Sequence, residues 1–190
     1  MRTLVTIGIF AMLVLAPACE SDPTGTTLGN VNVFLTDAPL DLTGVLAVNV
    51  IVTDITLFGG SGDDEGETVP VRLTSDGVAL NLLDFRDGSV MLIGTADVAP
   101  GVFERIRLGI GSATLVRDHD GDETTPALEE PIEVPSGKVD VPVEFMVQKG
   151  EDIDVTLDFD AQASVQVNST SGQPQYLLRP VITPVGARTR

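Results

Sequence analysis

The stretch RDHDGDETTPALEE, residues 117–130, holds the most chemically suggestive spacing in the chain. Asp118, Asp120 and Asp122 fall at alternate positions and Glu129 follows eleven residues after the first, matching positions 1, 3, 5 and 12 of a calcium loop. Carboxylate oxygens converging from a turn are the hard ligands that Ca²⁺ takes. Glu123, however, stands where the sharp turn of an EF-hand demands Gly, and the flanking residues lack helical periodicity. An EF-hand is rejected on those grounds. Two readings stay open: a looser calcium-binding β-loop, and a solvated hairpin tip in which Asp and Gly serve the turn alone.

The remaining reactive side chains are scattered. His119 is the only histidine and sits among acids with no Ser or Cys partner implied, so a Ser-His-Asp or Cys-His mechanism lacks its parts. A zinc site needs more nitrogen or sulfur ligands than one histidine supplies. A glycosidase would need two carboxylates and a sugar-shaped cleft, yet with no Trp and a single Tyr the chain has few platforms for stacking a sugar. The acidic stretch GGSGDDEGE (59–67) has the composition of a disordered loop between strands. Asp152, Asp154, Asp158 and Asp160 alternate with apolar residues and so share one strand face. Their mutual repulsion calls for water, a bound cation, or Arg105 and Arg107 on a neighbouring strand. Asp37 in TDAP is expected to cap its own turn. Asn168-Ser169-Thr170 is a formal glycosylation sequon given little weight. No catalytic residue is assigned.

The single cysteine, Cys19, explains itself by what precedes it. Met1-Arg2, an apolar run from Leu4 to Ala16 and the small pair Pro17-Ala18 form an export signal, too short to span a bilayer, which needs roughly 20 apolar residues. LAPAC resembles a bacterial lipobox whose thiol is acylated, although Leu15 lies one place too far upstream, and Ala16-Pro17-Ala18 also suits ordinary secretory cleavage at the same bond. Lipidation at Cys19 is the expectation and soluble secretion the alternative. Either way the mature chain has 190 − 18 = 172 residues and no thiol for a disulfide, so its stability rests on a hydrophobic core. Against 28 acidic residues stand 11 basic ones, a net charge of −17 that becomes −18 once Arg2 is lost. A field of that sign excludes nucleic acid as a partner.

Those chemical groups must be carried by strands. Val31, Val33 and Leu35 alternate with Asn32, Phe34 and Thr36, and Val48, Val50 and Val52 begin a second such run. In that run the apolar phase switches to Ile55 and Leu57, which places a β-bulge near Thr53-Asp54. Further period-two runs lie at 69–73 (an edge or strand start, since it holds Pro70), 90–93, 102–116, 139–147, 153–159 and 176–182. Only the segment 78–85 has the pattern of a helical turn. The fold class is all-β, an antiparallel two-sheet β-sandwich of immunoglobulin-like or transthyretin-like architecture with at most one short helical turn.

VNVFLTDAPLD (31–41), LNLLDFRDG (80–88), PGVFERIRLGI (100–110), LDFDAQASV (157–165) and YLLRPVI (176–182) resemble, in that order, the bacterial family catalogued as domain of unknown function 4382. The resemblance implies an extracytoplasmic β-sandwich, often on lipoproteins, with no established activity and no catalytic residues to carry over. The chain then divides into a signal peptide (1–18), a lipidated tether (19–28), the sandwich (29–184) and a C-terminal tail (185–190).

The functional expectation is a non-enzymatic binding or structural module at the cell envelope, facing the periplasm or exterior. It would be held to a lipid bilayer by acylated Cys19 and would meet another envelope or extracellular protein through loops at one end of the sandwich. Its rival is a calcium-dependent binder of protein or polysaccharide, with the ion on Asp118, Asp120, Asp122 and Glu129 and no other cofactor.

Overall fold

The computed structural model describes residues 27–37, 44–59, 68–85, 88–119, 125–168 and 175–190. Alternating Val31, Val33 and Leu35, each fully buried, give β1 (Gly29–Thr36) one dry face. The same logic builds β10 (Asp152–Asp160), whose Ile153, Val155, Leu157 and Phe159 point inward. These two strands are the centre of a five-stranded sheet completed by β6 (Met91–Val98), β13 (Val181–Thr189) and the short β4 (Arg72–Leu73), in the order β13-β10-β1-β6-β4.

The facing sheet is built on two long strands, β2 (Val45–Gly59) and β7 (Gly101–Arg117), paired antiparallel. Its path is β11-β12-β8-β7-β2-β3, where β3 is Thr68–Pro70, β8 Leu128–Glu133, β11 Val165–Asn168 and β12 Gln175–Leu178. In addition, β5 (Val78–Asn81) pairs with β2, and β9 (Lys138–Val147) with β7. The register of β2 against β7 slips between Ile51 and Asp54, as the phase switch in the sequence requires: Val48, Val50 and Val52 are buried before the slip, Ile55 and Leu57 after it.

Two layers over a valine-rich core agree with the expected sandwich, but the sheets are mixed rather than antiparallel throughout. β1 runs parallel to β10, and β12 parallel to β8. A parallel pair needs a long crossover, and between β1 and β10 it runs through both sheets, from β2 to β9. The helical turn expected within 78–85 is a 3-10 turn at Leu82–Phe85, whose Leu82, Leu83 and Phe85 are buried. A second single turn, α1 (Ala161–Ser164), joins β10 to β11.

Proline divides two runs that look continuous in sequence. The 69–73 run becomes β3 in one sheet and β4 in the other, with buried Val71 between them donating its amide to the Ile55 carbonyl at 2.9 Å. The 176–182 run becomes β12 and β13, because Pro180 has no N–H and forces Arg179 out of a regular ladder. β13 then continues to Thr189, so residues 185–189 form strand rather than the expected tail.

At the far end of β2, Gly59 has φ +133° and an added Cβ would lie 2.3 Å from the Val102 carbonyl oxygen and 2.6 Å from Phe103 Cα. Gly59→Ala is expected to cost about 2–4 kcal/mol through backbone strain and overpacking. Gly186→Ala, where a Cβ meets nothing within 4 Å, should leave the urea midpoint almost unchanged.

Candidate functional site

Three of the sequence blocks that carry the family resemblance meet at the end of the sandwich away from the start of β1. β1 ends there at Thr36, just before Asp37, β10 ends there in Asp160, and β13 begins there, Asp160 pairing with Val181. Asp37 is 3% exposed, and its Oδ1 accepts a hydrogen bond from the Ala161 amide at 3.0 Å. This partner is 124 positions away, so Asp37 secures the first residue of α1 in addition to any turn of its own. Asp160 is the N-cap of α1, accepting from the Ala163 amide at 2.8 Å, a position that favours Asp because its carboxylate satisfies an otherwise orphaned donor.

Ser164 completes the junction. Fully buried, it donates its hydroxyl to the Asp160 carbonyl and accepts the Val181 amide at 2.8 Å, while its own carbonyl accepts the Arg179 amide at 2.8 Å. Its proton is therefore committed to a carbonyl rather than to a base, which is the arrangement of a tie and not of an activated nucleophile. Next to this junction, Asn81 Oδ1 accepts the Val48 and Leu83 amides, both at 3.2 Å, and fastens the 3-10 turn to β2.

The acidic row lies as the alternation predicts, on the outer face of β10, but Arg105 and Arg107 do not balance it. They belong to β7 in the other sheet. There the Arg107 guanidinium grips Asp140 of β9 through two hydrogen bonds of 2.7 and 2.9 Å, and Arg105 stands 3.7 Å from the same carboxylate. Both arginines lie over Phe58, 4.0 and 4.9 Å from its ring centre. Asp154 instead takes Asn32 Nδ2 at 2.9 Å and Arg190 Nη2 at 3.2 Å. The hydrogen bonds from Arg107 hold Asp140 below the usual carboxylate range, with burial opposing, and Asp140 raises Arg107 in turn. In the outer half of the same sheet Arg117 pairs with Glu130 at 2.7 Å and lies over Tyr176. Burial raises the Tyr176 phenol above its ordinary range; Arg117 opposes this and Glu130 adds to it.

Of the proposed calcium ligands, Asp118 follows β7 and donates its amide to the Gly44 carbonyl at 2.9 Å, while Glu129 sits on β8 opposite Val116. Both are exposed, as is His119. Asp120, Asp122, Cys19, most of the 59–67 stretch, and Ser169-Thr170 of the sequon lie outside the described residues. The Asp37–Ala161 tie and the Arg107–Phe58–Arg105 stack escaped sequence reasoning, because period-two patterning names a face but not the partner strand.

A family model described as domain of unknown function (DUF4382) matches residues 28–180. The chain belongs to this family. No curated protein and no solved structure matches it. The DUF4382 match takes in Asp37, Asp160, Ser164 and Arg179, the residues whose hydrogen bonds form the junction.

Ser164→Ala leaves the part-buried Val181 amide without its acceptor and should cost about 1 kcal/mol. Asp37→Ala should cost about 1–3 kcal/mol and Asp37→Asn less, since the amide oxygen can still accept from Ala161. Because Asp140 has a lowered pKa in the folded state, its contribution is present above the unfolded carboxylate range and is lost as pH falls through the folded value. The melting-temperature gap between wild type and Asp140→Asn should therefore be full at neutral pH and narrow progressively as pH falls below the unfolded aspartate value of about 3.9.

Proposed function

We propose that this DUF4382 chain is a cell-envelope lipoprotein whose sandwich serves as a non-enzymatic binding or structural module. The observation that carries this reading is the polarity of the fold. β1 starts at Gly29 in the middle of its sheet, at the same end as the Val98–Gly101 and Gln148–Glu151 turns and the last residue of β13. Residues 19–28 can reach at most about 35 Å when extended. An acyl chain on Cys19 would then hold that end toward the bilayer and present the Asp37–Ser164 end outward, toward an envelope or extracellular protein. The net charge of −17 agrees with a body held off an anionic surface.

A calcium-dependent binder is the second reading, supported by where the flanking strands end. β7 stops at Arg117 and β8 begins at Leu128, so Asp118 and Glu129 flank one hairpin connection at the outward end.

Cys19→Ala should move the chain from the membrane fraction to the soluble exported fraction; retention in the membrane defeats the anchor. For calcium, a site filled to 100 times its Kd should stabilise the chain by about 2.7 kcal/mol. Melting with chelator and then with millimolar Ca²⁺ checks this, and an equal shift with Mg²⁺ or NaCl counts as screening and removes the second reading.

A further inference from the structure

Two β-bulges fall on one row of the five-stranded sheet. The β1/β6 register slips between Val33 and Phe34, and the β10/β13 register slips between Thr156 and Leu157, while Phe34 and Thr156 are themselves partners across the β1/β10 ladder. A bulge bends its strand and sharpens the local twist. Flanking two central strands with one on either side hollows the outer face of this sheet into an open cleft of about 490 Å³. That volume falls within the range of small-molecule sites.

The walls have two chemically distinct parts. Phe34, Val90 and Val185 supply apolar surface on what is otherwise the polar face, Val90 and Val185 being 55% and 60% exposed. Gly186 faces Thr156 and leaves open the space a side chain would fill. At the other end, Arg188 lies across the ladder from Asp154, yet Asp154 is turned to Arg190 and Asn32, and the Arg188 side chain has no hydrogen-bond or ion-pair partner among the described residues. In a chain with 28 acidic and 11 basic residues, an arginine left unpaired beside an already neutralised carboxylate is a conspicuous surplus of donors.

We propose that this cleft binds a small organic monocarboxylate, its apolar body on Phe34, Val90 and Val185 and its carboxylate on the Arg188 guanidinium. The planar fork of arginine matches a carboxylate. A single unpaired arginine balances a single charge, and the negative field of the whole chain disfavours a dianion such as phosphate. The proposal deepens the binding-module reading and rests on it for its biological sense.

Phenylacetate, phenylacetamide and inorganic phosphate are the probes, titrated into the isotope-labelled exported chain and followed by amide NMR shifts up to about 10 mM, enough to register a millimolar Kd. Phenylacetate should move the amides of Thr156, Gly186 and Arg188, with phenylacetamide and phosphate at least about tenfold weaker. Arg188→Gln should level phenylacetate with phenylacetamide. Gly186→Leu, whose side chain enters open space, should abolish both. Val185→Asp, at an exposed position, should do the same if Gly186→Leu melts early. The proposal is overturned by equal titration of phenylacetate and phenylacetamide on the wild type, by shifts confined to other faces, by tighter phosphate binding, by indifference to Arg188→Gln, or by no shift at all. Such a failure leaves the envelope-module reading to the Cys19→Ala fractionation, which does not depend on the cleft.

Discussion

The hydrogen bond from the Ala161 amide to the buried carboxylate of Asp37 is the tie on which the rest of the sandwich hangs. A chain that passes from one sheet to the other must leave its ladder inside a nearly dry edge, and each amide it frees costs free energy unless it finds an acceptor. Here the passage from β10 to β11 and the passage from β12 to β13 occur side by side. Asp37, Asp160 and Ser164 satisfy the Ala161, Ala163 and Val181 amides, and the Ser164 carbonyl takes that of Arg179. A chain with a single cysteine can form no internal disulfide, and this small polar cluster does the work of a staple. On the opposite flank Val71 makes the crossing with one hydrogen bond to Ile55, because only a single residue lies between β3 and β4.

Much of the fold could be read from the sequence wherever alternation carried information. The switch from Val52 to Ile55 announced a bulge, and the uninterrupted inward set Ile153, Val155, Leu157 and Phe159 announced β10. Strands whose composition opposes extended structure stayed hidden. β8 reads LEEPIE, and Pro131 is accommodated because β12 contacts only Ile132 and Glu133, which leaves the proline unchallenged on that side. Parallel pairing was also invisible, since a period of two is the same in both directions and says nothing of the neighbour.

The charged groups show the same division. Alternation put the β10 aspartates on one face, but their partners come from strand order: Asn32 from β1 and Arg190 from the end of β13 for Asp154, and an α1 amide for Asp160. Arg105 and Arg107, similar in sequence pattern, lie in the other layer and spend their charge on Asp140 and the Phe58 ring. Phe34 was the one visible sign of the cleft, an aromatic residue in the wet phase of β1 between Asn32 and Thr36. Its meaning needed the two register slips beside it, which arise on strands far away in sequence.

The parallel contact between β1 and β10 has a consequence for the order of assembly. Asn32 and Asp154 are 122 positions apart, so the first strand to emerge waits for one of the last before its second edge is filled. Contacts of such separation are entropically late and slow to form. The layer built on β1 therefore cannot zip shut until almost the whole length of chain is available, and β13, laid on β10 as the outermost strand, is the closing seam.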